Sequence, residues 1–207
     1  MIFHKTLDTL LATWSHIAVL RTLQDSVHGL TGREIARQSG MNHRSCLRAL
    51  TTLEELSLVT RQRGGRDHLF TFNREHILVS QGIIPLLALE RRFIQDFTDF
   101  LSSRIGKRAE SIILFGSVAR KQETLASDVD LCIIVRRVNE KEKIQSIIHD
   151  SAEILLRRYG ARVSPLIFTL AEFSSKARQK KPPVQEILEE GVVIKGKSLR
   201  RHCYDAT

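Results

Sequence analysis

Cysteine is scarce in this 207-residue chain, and what there is cannot build a framework. Cys46, Cys132 and Cys203 lie far apart and are odd in number. That excludes a disulfide-stapled scaffold and points to a reducing cytoplasm. Long apolar runs are also missing: none reaches the roughly 18 residues of a membrane span. The opening stretch, MIFHKTLDTLLATW, starts apolar, but Asp8 interrupts it and no cleavage site follows. It reads as mature protein rather than a signal peptide. The eight histidines show no metal-ligand spacing and no cysteine at the usual interval, which argues against a zinc site. Internal repeats and low-complexity tracts are lacking too.

Positive charge is what the chain has in excess. Lys and Arg number 32 against 23 Asp and Glu, a net charge of +9. Such a balance favours anionic partners: nucleic acid, a nucleotide or a phosphorylated surface. Hydrophobic residues at 42% and charged residues at 27% are those of an ordinary globular protein. The length suits one medium domain or two small ones.

The first third reads as helices followed by a hairpin. Residues 5–25 carry Leu7, Leu10, Leu11, Trp14, Ile17, Ala18 and Val19 at helical spacing, and Gly29 is a break. In LTGREIARQSG, Thr31 is an N-cap, Glu34 completes a capping box and Gly40 is a stop. Asn42 then caps a second helix, whose inner face is expected to carry Leu47, Leu50, Leu53 and Leu56. SLVTRQRGGRDHLFTFN reads as two strands joined by a Gly64-Gly65 turn. This order, and the run REIARQSGMNHRSCLRALTTLEELSLV, resembles the winged helix-turn-helix family over roughly residues 8–75. The resemblance implies a second helix that enters a major groove of DNA. Asn42, His43, Arg44, Ser45 and Arg48 are its candidate contacts to phosphates and base edges, with Arg61, Arg63 and Arg66 on the wing. A dimerisation or protein-docking role for the same fold stays open. Basic residues recur at Arg137, Arg157, Arg158, Lys180 and Lys181, so the charge is not confined to this region.

A connector follows. Pro85 opens a helix, and Leu86, Leu89, Phe93, Phe97, Phe100 and Leu101 recur at helical spacing as packing residues, up to Gly106. This helix is the candidate interface of a homodimer. From about residue 108 strands and helices alternate, which predicts a layered α/β or α+β domain.

The informative stretch is LFGSVARKQETLASDVDLCIIV, residues 114–135. A strand ends at Phe115. Gly116 lets the backbone turn sharply and approach a ligand without a Cβ, and Ser117 opens a helical turn whose free N–H groups suit phosphate. Arg120 and Lys121 add positive charge beside it. Asp128 and Asp130, two apart in a strand, are expected to aim to one face with Cα atoms roughly 7 Å apart. Their repulsion is relieved by a cation, and oxygen-only ligands suit magnesium.

GSVARKQETLASDVDL closely resembles the signature of the minimal nucleotidyltransferases of the DNA polymerase β-like superfamily. The likeness covers roughly residues 108–195. It implies a mixed sheet flanked by helices, nucleotide phosphates at Gly116 and Ser117, and Mg2+ held by Asp128 and Asp130; Arg120, Lys121 and Ser127 complete the candidate nucleotide contacts. It also implies transfer of a nucleoside monophosphate from ATP or another triphosphate to a hydroxyl of a small molecule, nucleic acid or protein. Two departures stand out. Lys121 replaces the usual glycine, and the next long strand, ARVSPLIFT, lacks the third acid. Ser164 stands near that place, and Glu153 and Glu172 are the nearest acids in sequence. Whether catalysis survives is therefore open.

The sequence thus predicts a winged helix-turn-helix domain (1–75, mainly α with a β-wing), a connector helix (76–106) and an α/β nucleotidyltransferase domain with a mixed sheet (107–207). The alternatives to an active transferase are a DNA-binding regulator with a degenerate nucleotide-sensing or docking domain, and the antitoxin of a toxin-antitoxin pair.

Overall fold

The computed structural model describes residues 4–65 and 67–197 and divides the chain into two compact units, Met1–Phe93 and Ile94–Thr207. No helix among the described residues is long and apolar enough to cross a membrane.

In the first unit the single helix expected over residues 5–25 is broken into α1 (Thr6–Leu10) and α2 (Trp14–Gln24). The buried His16 explains the break. Its Nδ1 lies 3.1 Å from the carbonyl oxygens of Thr9 and Leu10 and satisfies acceptors that the end of α1 leaves open. Leu7, Leu11 and Trp14 consequently turn outward, and the buried face of α2 is His16, Val19, Leu20 and Leu23.

α3 (Gly32–Ser39) begins with the capping box read from the sequence, Thr31 and Glu34 each bonding the other's backbone N–H, and ends at Gly40 in the left-handed region. α4 (His43–Glu55) is capped by Asn42, whose Oδ1 accepts the Ser45 N–H at 2.8 Å. Its buried face is Cys46, Ala49, Leu50 and Leu53. Leu47, expected on that face, is 40% exposed, because the 3.6-residue period that carries 46 to 50 and 53 leaves 47 on the flank.

Three strands complete the unit: β1 (Leu30–Thr31), β2 (Val59–Gly64) and β3 (Asp67–Phe72), antiparallel in the order β1-β3-β2. Two residues long, β1 had no periodicity to announce it. Gly64 is still paired, with Asp67, so it belongs to β2 and not to the turn expected at Gly64-Gly65. One cluster of buried side chains from α2, α3, α4 and the hairpin forms the core of this unit.

A wide π-type turn, Val79–Ile83, precedes α5 (Ile84–Ile105). Pro85 lacks the N–H that an α-turn would spend on residue 81, and the widened turn accommodates its ring. The unit boundary falls inside α5. Leu86, Leu89 and Phe93, expected to pack, are substantially exposed, whereas Phe97 and Leu101 are buried.

The second unit is built on a mixed four-stranded sheet of β4 (Ala109–Phe115), β5 (Val129–Val135), β6 (Val163–Thr169) and β7 (Val192–Gly196), in the order β6-β5-β4-β7. β5 and β6 run parallel, joined through α7 (Asn139–Tyr159); the other pairs are antiparallel. Strict alternation divides the two faces. Ile112, Leu114, Leu131 and Ile133 pack with Phe97, Leu101, Ile144 and Ile148 of α5 and α7. Ile113, Phe115, Cys132 and Ile134 pack with Phe173, Val184 and Ile187 of α8 (Leu170–Arg178) and α9 (Val184–Glu190). Burial on both faces is why VDLCIIV reads as an unbroken apolar run. Each fully buried Leu, Ile or Phe there contributes roughly 1.5–3 kcal/mol. β6 is an edge strand, so Pro165 removes no interior ladder bond.

Candidate functional site

β4 leaves the sheet at Phe115 in extended conformation, and Gly116 follows with φ 72°. Only a residue without a Cβ takes that conformation at little cost. The chain then makes the single helical turn α6 (Gly116–Ala119), closed by Arg120 N–H to Gly116 O at 3.1 Å and Gln122 N–H to Ser117 O at 2.9 Å. Ser117 is half-buried; Arg120 and Lys121 are exposed. The glycine has a second reason. A Cβ built there would collide with the Asp130 carboxylate, which lies directly over it.

Asp130 is the second residue of β5. It pairs in register with Phe115 on one side and Ser164 on the other. It shares the sheet face of Cys132 and Ile134, and it is half-buried. Burial raises its pKa above the ordinary aspartate value, the charge of Asp128 adds to the rise, and Arg120 opposes it. Asp128 itself stands one residue before β5 and is exposed, not within the strand as the sequence suggested. Its Oδ1 accepts a hydrogen bond from Nε of Arg162 at 3.0 Å. The backbone fixes the same neighbourhood: the Val129 N–H donates to Arg162 O at 2.7 Å.

The remaining candidates have local duties. Arg120 pairs with Glu190, the last residue of α9, and its Nε donates to Gln122 Oε1 at 3.3 Å. The Ser127 hydroxyl accepts the Thr124 N–H at 2.9 Å, so it shapes the loop before Asp128. Lys121 takes φ 58° at the end of α6, a left-handed conformation in which glycine would be at ease.

Neither nearby acid supplies a third carboxylate. Glu172 caps α8 with Thr169 and pairs with Lys141. It follows the far end of β6, whereas Asp128 and Asp130 stand at the near end. Glu153 pairs with Arg157 at 3.6 Å on α7. Ser164 is what β6 presents opposite Asp130. Among the described residues no group of three His, Cys, Asp or Glu is arranged to hold a metal. Arg162 and Glu190 were the residues sequence reading missed. They meet their partners across 34 and 70 residues, and no local pattern signals such a pairing.

In the first unit, His43, Arg44 and Arg48 are exposed on α4, and Ser45 is half-buried. Asn42 is committed to its cap. Arg61 is drawn back to Glu54 at 3.1 Å, while Arg63 stands exposed two residues further along β2. Arg66 lies outside the described residues.

Comparison with known proteins bears on the second unit. The pattern of the nucleotidyltransferase domain family matches residues 94–194. Two proteins of Methanocaldococcus jannaschii are similar to part of this chain. "Putative protein adenylyltransferase MJ0604" is 30% identical over 105 residues, 51% of this chain and 97% of that protein. "Putative protein adenylyltransferase MJ1305" is 31% identical over 86 residues, 41% of this chain but 58% of that protein, so the chain spans little more than half of that relative. A solved structure titled "Crystal structure of the toxin-antitoxin with AMP-PNP" aligns with 54% of this chain and 82% of its own. At 15% identity and a TM-score of 0.36, that likeness is too loose for anything to be read from it. The family pattern over 94–194 spans the sheet that carries Gly116, Asp128 and Asp130, and with a relative at 30% identity that is covered over 97% of its length, the chain belongs to the nucleotidyltransferase domain family.

Proposed function

We propose that the second unit binds a magnesium–nucleoside triphosphate, ATP by preference, and transfers its nucleoside monophosphate to a hydroxyl group. One observation carries the reading. The Asp130 carboxylate lies on the Gly116 turn, so an acid and a strand-to-helix corner share one place. A divalent cation fits the donor set. Asp128 keeps Oδ2 outside its pair with Arg162, and the half-buried Asp130 carries a charge that burial and its neighbour disfavour. An oxygen-seeking ion would relieve both, with phosphate oxygens and water completing its shell. When bound, it would draw charge from the phosphoryl oxygens.

The chain's own residues do the rest. Gly116 and Ser117 offer backbone N–H groups and a hydroxyl to the phosphates. Asp130, set in β5, keeps its carboxylate at the corner. The acceptor oxygen forms a bond to the α-phosphorus and the bond from that phosphorus to the β-phosphate oxygen breaks. Pyrophosphate departs with the electron pair, and the hydroxyl proton passes to solvent. The names of the two relatives favour a protein hydroxyl as acceptor and AMP as the transferred group. Incubation with ATP labelled at the α-phosphate, Mg2+ and a lysate of the native host is expected to label protein, and Asp130→Asn to stop it. Labelling that persists in Asp130→Asn defeats the reading.

The first unit supports a second activity. Its helix-turn-helix and hairpin form a winged helix that binds duplex DNA, and Arg44 and Arg48 are the reason to favour it. They are exposed one helical turn apart on α4, with no ion pair among the described residues. Retention of labelled duplex that falls steeply with salt supports DNA binding; retention indifferent to salt sinks it.

A further inference from the structure

The cation that meets the triphosphate is the point at which the structure departs from the sequence. Sequence reasoning named Arg120 and Lys121. In the structure Arg120 is held at two of its three nitrogens, by Gln122 at Nε and by Glu190 at a terminal nitrogen. Its charge is largely spent within the protein. Lys121 stands exposed at the end of a single helical turn, on a flexible stem.

Arg162 is differently placed. α7 ends at Gly160, φ 64°, and only Ala161 separates that turn from Arg162 and the start of β6. The Arg162 carbonyl is tied to the Val129 N–H at 2.7 Å, and its side chain reaches Asp128 through Nε at 3.0 Å. The main chain and the head group are therefore both anchored beside Asp128, and the side-chain freedom an arginine normally gives up on binding is already reduced. A guanidinium has five N–H donors, one on Nε and four on the terminal nitrogens. The contact to Asp128 uses Nε. Asp128 uses Oδ1. Each partner therefore keeps part of its capacity: four fork-shaped N–H donors on one, a second oxygen on the other.

We infer that Arg162 is the chain's own polyphosphate-binding residue: with Asp128 holding its Nε, its terminal nitrogens grip phosphate oxygens of the nucleotide bound at the Gly116 corner. This rests on the nucleotide reading above and deepens it. Opposite Asp130 the neighbouring strand offers only the neutral Ser164. Two residues before Ser164, the Arg162 guanidinium brings a positive charge to the β6 side of the site, beside Asp128. A planar fork matches phosphate in a way that an ammonium does not.

The test is equilibrium binding of ATP by the full chain, in Mg2+ and separately in EDTA, to wild type, Arg162→Ala, Arg162→Lys and Asp128→Asn, with circular dichroism to establish folding. Arg162→Ala is expected to weaken ATP binding at least tenfold in both buffers, and to affect AMP much less than ATP. Arg162→Lys, which keeps charge without the fork, is expected to recover only part of the loss. Asp128→Asn should lose the Mg2+-dependent part of the affinity and keep the part measured in EDTA. If Arg162→Ala binds ATP as tightly as wild type, or more tightly, the arginine only neutralises Asp128 and the inference is overturned. If wild type binds no ATP in either buffer, the nucleotide reading of the whole unit falls and takes the inference with it. If Arg162→Ala is misfolded, Arg162→Lys decides: full wild-type affinity for ATP in EDTA overturns the fork, and partial affinity supports it.

Discussion

In the first unit the candidate ligand-binding side chains stand outside a finished core, while in the second they are woven into the sheet itself. Arg44 and Arg48 project from α4 without partners among the described residues. Asp130 is a paired residue of β5, Gly116 lies beneath its carboxylate, and Asp128 is linked to Arg162 across a strand boundary. The difference teaches where function and stability are separable. Removing an exposed arginine is expected to leave the fold unchanged, whereas a side chain added at the Gly116 turn is expected to disturb fold and site together.

A pair of glycines makes the sharpest comparison. Gly40 and Gly116 both hold positive φ, 71° and 72°. A Cβ at Gly40 meets nothing within 4 Å, whereas one at Gly116 meets the Asp130 carboxylate. Gly116→Ala should therefore lose ATP binding by on the order of a hundredfold or more, about 2.7 kcal/mol, because Asp130 must swing away. It should also lose about 1–3 kcal/mol of stability in urea. Gly40→Ala is expected to cost about 1–2 kcal/mol from backbone conformation alone and to leave ATP binding intact. Equal effects of the two substitutions on ATP binding would erase the distinction.

Asp130→Asn comes next. It is expected to cut Mg2+-dependent ATP binding at least tenfold, yet to leave the folded state no less stable at neutral pH. The sign follows from the raised pKa. Between the ordinary aspartate pKa and the raised one the folded chain binds more protons than the unfolded chain, so stability falls as pH rises through that window. The asparagine variant should lack that slope, and its advantage should vanish on acidification below the ordinary aspartate range. Melting curves from mild acid to neutrality test this directly.

In the first unit Arg44→Ala and Arg48→Ala should each weaken duplex binding about tenfold and lower the salt slope by about 1, with the melting temperature unmoved. A large stability loss in either would mean that the two units do not differ as described.

The smallest effects should be alike in both units. Thr31 and Thr169 each close a capping box, and replacement of either by alanine should cost about 1 kcal/mol. Both box carboxylates, Glu34 and Glu172, have lowered pKa values. For Glu34 the chief cause is the Thr31 backbone N–H; for Glu172 it is Lys141, then Thr169. Their contribution is fully present above the ordinary glutamate range and is lost as pH falls from there through their lowered values. Acid titration of the two alanine variants followed by circular dichroism should show that dependence weakened in each.

These contrasts also mark what the sequence could tell. Caps and glycine stops are local signals, and they delivered α3 with its capping box and its Gly40 stop, and the Asn42 cap of α4. Periodicity alone misplaced Leu47 and ran α1 into α2, because a histidine seven residues from its acceptor decided the break. In the site, the Gly116 turn and the neighbouring aspartates were legible as a pattern. The partners of Asp128 and Arg120 were not, since each lies on another element brought up by the fold. The same holds for Glu172, which the fold spends at the opposite end of β6.

The position of β7 has a consequence for how the chain emerges during synthesis. β4 carries the Gly116 turn at its end, and one of its flanks is closed only by β7, residues 192–196, the last described element. The first unit needs nothing beyond its own early residues to pair its three strands. A nascent chain can thus display a paired first unit while the second still has an open strand flank inviting mispairing, and a ribosome stalled before residue 192 would present the one without the other.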